Sequence, residues 1–456
     1  MESSELVDPP LLPRAPGSAV PLTALQRRMW TNGLKRGTRL SELRTCAVST
    51  HLSGPLHAGV VRESLAALVG RHESLRTRFV AVDGKPQQQV DPARDFRLQV
   101  LDLSRVPARR VDEEAKSAAQ MFVDEKIDLA CGPVFDARLL KLSDLEHVLI
   151  VVVDHIVSDN VSCSIIDKEL WTFYNQGARS IALSLPPLEV QFSDYAAWQE
   201  RTYPSWLTRH APYWNERLAG ARRIDLPCDT GGSSQPTRAR LSFPFGLNLS
   251  AQLRQVAWQE RTLLPLVVLA AYVVAMARWS GQRDFVLAFA SHGRQRRKEL
   301  SGMIGCLATP LYLPVEMSAD ESFIDLLHQL KLELSLAYRH QDFGRVPDFN
   351  TECTAAITFN WLSTEWTNSS LQKSDSDSPV ERRPFEIRLF AEKIDPNFRF
   401  ATMFRETPDG IVADAWYRPD LFLPGTIKQF GRDLCWLAQE FTRQPTAPIA
   451  LKFASS

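Results

Sequence analysis

A chain of 456 residues with 44% hydrophobic and 23% charged side chains has room for two or three folding units of roughly 150 residues each, and it lies far from disordered or fibrous compositions. Its 53 basic and 53 acidic side chains cancel, which removes the overall electrostatic pull that nucleic acid or an anionic membrane would exploit. Seven scattered cysteines form no C-x-x-C pair and no zinc-type spacing with histidines, so they read as reduced, mostly buried thiols, and no metal site is expected.

Met1 to Val20 opens with acids and prolines where a secretory signal needs a basic start and an apolar run, so residues 1–20 read as a disordered lead and the protein as cytoplasmic. Thr23 is the predicted N-cap of a first helix, with Leu22, Leu25 and Met29 on one face. Cys46 to Leu52 alternates as a strand does, Ala58 to Glu73 has helical spacing, and Leu75 to Val82 reads as strand again. A helix over Asp112 to Glu125 precedes two strands, Phe135 to Leu142 and His147 to Val153. The second is an almost unbroken β-branched run, the pattern of a central strand covered on both faces. It delivers Asp154, His155 and Asp159 onto a loop before helical spacing resumes over Val161 to Asn175.

Pro186-Pro187 marks a boundary between a unit at 21–185 and one at 186–456. Beyond it, Phe192 to Leu218 is an aromatic-rich amphipathic segment, with Trp198, Tyr203, Trp206, Tyr213 and Trp214 read as core. Strands are predicted over Ala239 to Phe245, Asp284 to Ala290, Ala355 to Phe359, Phe398 to Phe404 and Gly410 to Tyr417. Helices are predicted over Leu249 to Ala257, Leu264 to Ala277, Phe323 to Tyr338 and Pro424 to Arg443. The apolar stretch Thr262 to Ala277 is too short for a membrane span and reads as a buried helix; Thr367 to Pro379 reads as a mobile loop.

Taken from the residues alone, His155 is a candidate general base, because neutral imidazole is the side chain best matched to taking a proton at neutral pH. Asp159, four positions on, either pairs with a cation to shape the loop or takes part directly. A set of motifs in fixed order adds to this. They are Pro21-Leu22-Thr23-Ala24-Leu25-Gln26, Arg71-His72-Glu73-Ser74-Leu75-Arg76-Thr77-Arg78-Phe79, Asp154-His155-Ile156-Val157-Ser158-Asp159-Asn160, and Phe192-Ser193-Asp194-Tyr195-Ala196-Ala197-Trp198. Gly293-Arg294, Met303-Ile304-Gly305 and His340-Gln341-Asp342 complete the series.

Together these closely resemble the condensation domains of nonribosomal peptide synthetases, which have the chloramphenicol acetyltransferase-like fold. The resemblance runs from about Pro21 to Arg443. It implies an α/β protein with two such subdomains in a V-shaped pseudo-dimer around a central tunnel. A carrier-protein-bound acyl thioester would be joined there to an amine or hydroxyl. No bound cofactor is implied, only the phosphopantetheine arm of an acyl or peptidyl carrier protein as substrate carrier. By position, the catalytic histidine is His155; Asp154, Asp159 and Arg294 support the site, with Arg294 reaching Asp159 from the second subdomain; Asn160 and Ser162 are candidate contacts. His292 and the Arg71-His72 corner read as architecture, and Arg296 to Lys298 as a solvated basic face. The chain ends about where such a domain ends, so its partners are expected to act in trans.

Four departures from the motifs stand out: Asp154 replaces the first histidine of H-H-x-x-x-D-G, Asn160 replaces the glycine, Thr309 stands where an asparagine follows I-G, and the segment after Asp342 lacks the family's P-F-E. They leave two further readings open. One is a catalytically silent platform that recruits a carrier protein or a tailoring enzyme. The other is heterocyclisation or dehydration, since Asp154, Asp159 and Ser162 also spell D-x-x-x-x-D-x-x-S.

Overall fold

A computed structural model describes residues 9–35, 45–125, 127–233, 237–295, 297–318, 320–341, 357–362, 378–385, 387 and 398–449. The expected loop over Thr367 to Pro379 lies outside these residues up to 377, as do Arg296 and Asp342. The chain forms two compact units, and they do not follow the 21–185 and 186–456 division. Unit 1 holds residues 1–206 together with two returning segments, 292–308 and 365–391; unit 2 holds 207–291, 309–364 and 392–456.

In chain order, unit 1 contains strand β1 (Val20–Pro21), helix α1 (Ala24–Lys35), β2 (Thr45–Ser53), α2 (Ala58–Arg71), β3 (Thr77–Val82), β4 (Lys85–Val90), β5 (Gln99–Asp102), α3 (Ala108–Val123), β6 (Phe135–Lys141), β7 (Glu146–Asp154) and α4 (Asn160–Ala178). Helix α5 (Phe192–Arg217) begins in it, and β12 (Glu381–Pro384) returns to it. Its main sheet is mixed, with order β12-β2-β7-β6-β5, and β1, β4 and β3 form a small second sheet.

The reading of β7 as a strand covered on both faces holds. Leu149, Val151 and Val153 pack with Leu65 and Leu68 of α2 and Ile166 and Leu170 of α4. The alternate residues Val148, Ile150 and Val152 pack with Ala115, Ala119 and Phe122 of α3. At about 1.5–3 kcal/mol for each fully buried aliphatic side chain, this strand is a strongly anchored base for the loop that follows it.

Residues 9–20 are not a disordered lead. Leu11 is buried, the Pro9 carbonyl accepts from Trp198 Nε1 at 2.9 Å, and Arg14 donates its backbone N–H to Asp194 Oδ1 at 2.9 Å. Strands β4, β5 and β12 escaped the sequence reading because their residues, such as Glu381-Arg382-Arg383-Pro384, show no apolar alternation. Backbone pairing places them: β12 runs antiparallel to β2 over Glu381 to Pro384, and Arg382 lies over the Trp171 ring, 5.2 Å from its centroid.

Unit 2 has a mixed six-stranded sheet of order β10-β9-β11-β13-β14-β8, built from β8 (Ala239–Phe245), β9 (Asp284–Ser291), β10 (Thr309–Glu316), β11 (Ile357–Leu362), β13 (Phe400–Thr407) and β14 (Gly410–Tyr417). Helices α6 (Gly246–Gln259), α7 (Leu264–Ser280), α8 (Phe323–Arg339) and α9 (Pro424–Arg443) accompany it. Every residue of α7 from Leu266 to Ala277 is buried, as its all-round apolar sequence demands. Among the described residues no single helix is long and apolar enough to cross a membrane. Trp198, Trp206 and Trp214 of α5 are core, whereas Tyr203 and Tyr213 are half-buried. In this unit Trp214 Nε1 donates to the His340 carbonyl at 2.9 Å and the Tyr213 ring stacks on His340.

Candidate active site

The site is built at the end of β7. Asp154, the last residue of that strand, caps a short 3-10 turn over His155–Val157 by accepting from Ile156 N at 2.8 Å. Its side chain thus braces the turn that carries His155, and it is 3% exposed. Ser158 closes the turn, its hydroxyl donating to the Asp154 carbonyl at 2.9 Å. The Ser158 carbonyl lies 2.6 Å from His155 Nδ1. A carbonyl only accepts, so Nδ1 carries the proton and Nε2 the lone pair of the neutral ring. The His155 ring is half-buried, and the Cys306 thiol stands 3.9 Å from Nδ1.

Asp159 is the N-cap of α4, where a carboxylate satisfies exposed backbone N–H groups and meets the positive end of the helix dipole. Its Oδ1 accepts from Ser162 N and Ser162 Oγ, both at 2.8 Å, and from Arg294 Nη2 at 3.1 Å. Its Oδ2 accepts from Arg294 Nη1 at 2.8 Å, Leu307 N at 3.0 Å and Ala308 N at 3.1 Å. Burial by itself pushes this carboxyl up, but the Arg294 guanidinium and the converging hydrogen bonds outweigh it and hold Asp159 below its ordinary range.

Asp159 is thus paired with Arg294, as the resemblance implied. The correction concerns where Arg294 comes from: it belongs to the 292–308 segment of unit 1, so the pair lies within one compact unit. Arg294 also donates to the carbonyls of His292, Met303 and Gly305 at 3.0, 3.0 and 3.3 Å. Two glycines permit this fold-back. Gly293 has a φ of +72° and a Cβ there would sit 2.0 Å from the Leu307 carbonyl oxygen; at Gly305 a Cβ would meet the Phe192 ring at 2.1 Å.

Ser162, expected as a site contact, is not one. It is fully buried, its hydroxyl lies 2.8 Å from Asp159 Oδ1 and 3.0 Å from the Gly305 carbonyl, and it accepts from Gly305 N at 3.1 Å. Asn160 is exposed at the first turn of α4. His292 accepts from Arg294 N through Nδ1 at 3.3 Å; burial and then the Arg294 charge push its imidazole below the ordinary value, which suits loop architecture. Arg71 and His72 both bind Glu169, at 3.1 and 2.7 Å, which ties that corner to α4. Arg297 is not freely solvated: its guanidinium covers the Trp198 ring.

One supporting residue lacked an assigned role. Gln26 accepts from Thr23 N at 3.0 Å, as in a capping box, and its Nε2 donates to the Ile156 carbonyl at 2.9 Å. It fastens α1 to the turn that carries His155. The Thr-x-x-Gln spacing was the readable signal for the cap, but its second bond crosses 130 residues. Among the described residues no group of three or more His, Cys, Asp or Glu side chains is placed to hold a metal ion.

A large open cavity of about 1480 Å³ lies elsewhere in unit 1, and its lining does not include His155. Lys168, Arg179, Arg297 and Lys298 are among its six cationic residues, against three glutamates.

The sequence model for the condensation domain matches residues 18–453. The chain belongs to the condensation-domain family. This condensation-domain protein is 31% identical, over 97% of its length, to the phosphinothricin tripeptide synthetase PhsC of Streptomyces viridochromogenes, and the match covers 41% of that synthetase. It is 28% identical to three linear gramicidin synthase proteins of Brevibacillus parabrevis, and it spans less than a tenth of the length of each. Among solved structures it resembles the X-domain in a complex of the X-domain and OxyB from teicoplanin biosynthesis, with a TM-score of 0.83 and 22% identity over 99% of both chains. It also resembles the first condensation domain of the calcium-dependent antibiotic synthetase, with a TM-score of 0.74 and 20% identity, over 95% of this chain and 99% of that one. The condensation-domain protein therefore has the chloramphenicol acetyltransferase-like two-subdomain fold that its motifs implied.

Proposed function

We propose that this condensation-domain protein transfers an acyl group from a carrier-protein thioester to an amine or hydroxyl, with His155 as the base. The observation that carries this reading is the 2.6 Å contact from His155 Nδ1 to the Ser158 carbonyl, which fixes the tautomer in which Nε2 accepts a proton. As the nucleophile attacks the thioester carbonyl, Nε2 takes its proton. The new C–N or C–O bond forms, the C–S bond breaks, and the departing thiolate recovers the proton from the imidazolium. The rigid Asp159–Arg294 network supports the reading by holding the loop in place, so that alignment of the reactants supplies much of the rate.

A carrier protein in trans is the partner this reading requires, and the cationic cavity beside α4 suits an acidic docking face. A second reading, a silent platform for a tailoring enzyme, is favoured by the Asp154 and Asn160 departures and by the likeness to the X-domain that forms a complex with OxyB. The cyclisation reading loses support, because Asp154 caps a turn and both Asp159 and Ser162 are committed to the buried network. Intact-mass analysis of acyl-loaded carrier protein with candidate nucleophiles and a catalytic amount of this protein separates the first two. Acyl loss matched by product over many turnovers supports transfer. Stoichiometric binding without turnover moves the assignment to the platform.

A further inference from the structure

His340, which opens the His340-Gln341-Asp342 motif, is the C-cap of α8, and its Nδ1 lies 2.9 Å from Nδ1 of His210 on α5. The two rings meet edge to face with centroids 5.0 Å apart, and the Tyr213 ring stacks on His340 at 3.9 Å. Both histidines are half-buried, and both belong to unit 2. The next residue, Gln341, is buried and accepts at 2.9 Å from Ser291 Oγ, at the end of β9. Two adjacent residues thus fasten α5 and β9 to the end of α8.

Two ring nitrogens at this distance hold one proton between them: one donates, and the other keeps its lone pair. The contact therefore forms when both rings are neutral or when one is an imidazolium. It fails when both are protonated, because two N–H groups then face each other. A single charge is favoured on His340, which lies at the negative end of the α8 dipole and against the face of Tyr213. His210 is then the acceptor. Tyr213 has the Arg217–Glu333 ion pair, closed at 2.8 Å, as its electrostatic neighbours. On β10, Tyr312 meets Trp214 and Glu316 reaches Arg217 at 3.8 Å. Arg209 and Arg339, next to the two histidines in sequence, bring further positive charge, so a second proton on the pair meets repulsion as well as a lost bond.

We propose that His210 and His340 form a proton-operated clasp between α5 and the end of α8, closed near neutral pH and opened in mild acid by the second proton. Apart, the two rings take up a proton each as pH falls through the ordinary imidazole value of about 6.5; clasped, they admit only one. The folded state therefore binds fewer protons in acid, so the stabilisation from the contact is present above that value and lost as pH falls below it. The Trp214 bond to the His340 carbonyl and the Gln341 bond to Ser291 do not titrate, which confines the change to the facing turns of the two helices.

The test follows the full chain by NMR with 13Cε1-labelled histidine and by hydrogen exchange between about pH 7.5 and about pH 5, a range in which ordinary carboxylates stay largely ionised. The expected result is that one of the two imidazoles titrates well below the other. Exchange in the second half of α5 and the last turn of α8, corrected for the intrinsic rate at each pH, should quicken about tenfold on acidification, while α6 does not respond. His210→Asn puts an amide that does not titrate where Nδ1 lay, so it should keep the neutral-pH protection and lose the acid response. Because the NMR titration is read on the wild type, it decides even if the variant does not fold. Ordinary, independent titration of His210 and His340 overturns the proposal, as does an acid response in His210→Asn equal to that of the wild type.

Discussion

Asp159→Asn keeps the size and shape of the side chain and removes its charge. In the native protein both carboxylate oxygens face N–H donors: Ser162 N and Arg294 Nη2, with the Ser162 hydroxyl, on one side, and Arg294 Nη1, Leu307 N and Ala308 N on the other. Whichever way the new amide is turned, its NH2 group faces N–H donors, and a guanidinium that is 3% exposed loses its counter-charge. Breaking a buried pair from one side costs about 3–5 kcal/mol, or roughly 150- to 5,000-fold in the local opening equilibrium. Hydrogen-exchange mass spectrometry should therefore show that much faster exchange at Leu307, Ala308 and the first turn of α4, with α7 in unit 2 unchanged. The pH dependence follows from the same carboxylate. Its folded-state value lies below the unfolded one, so its contribution is complete above about pH 4 and is lost as pH falls through the depressed value. The variant should lack that acid-side loss of protection. Exchange at 307 and 308 unchanged by the substitution would refute the claim that Asp159 and Arg294 hold this segment.

Gln26→Ala should cost about 1–3 kcal/mol, because Thr23 N and the Ile156 carbonyl lose a buried partner, and it should loosen the 155–157 turn in the same exchange experiment. Ser162→Ala should cost a similar amount, about 1–3 kcal/mol, read as a lower urea midpoint, since Gly305 N is left without its acceptor. Reversing charge at Lys168 and Lys298, both exposed on the cavity, should weaken carrier binding about tenfold in low salt and flatten its salt dependence, measured by titration at two ionic strengths.

Much of the fold was legible because the responsible signals are local. The β-branched run of β7 and the all-round apolar α7 each dictate one element, and β8, β14 and α9 begin and end where their periodicity does. What escaped depends on partners distant in sequence. The edge strand β12 is polar and is held by pairing with β2, more than 300 residues earlier. Residues 9–20 carry no periodicity yet are pinned by Trp198 and Asp194. At the site, the motif order identified His155, Asp159 and Arg294, but the unit to which Arg294 belongs follows from a fold-back that two glycines permit, which no linear boundary reveals.

Whether the imidazole of His155 removes the proton of the nucleophile is decided by the single-turnover rate of acyl loss from a loaded carrier with the wild type and His155→Ala, each first checked for native hydrogen exchange. The expected result is a fall of about 10²- to 10⁴-fold in the variant with its carrier affinity intact. Equal rates in the two proteins would contradict it.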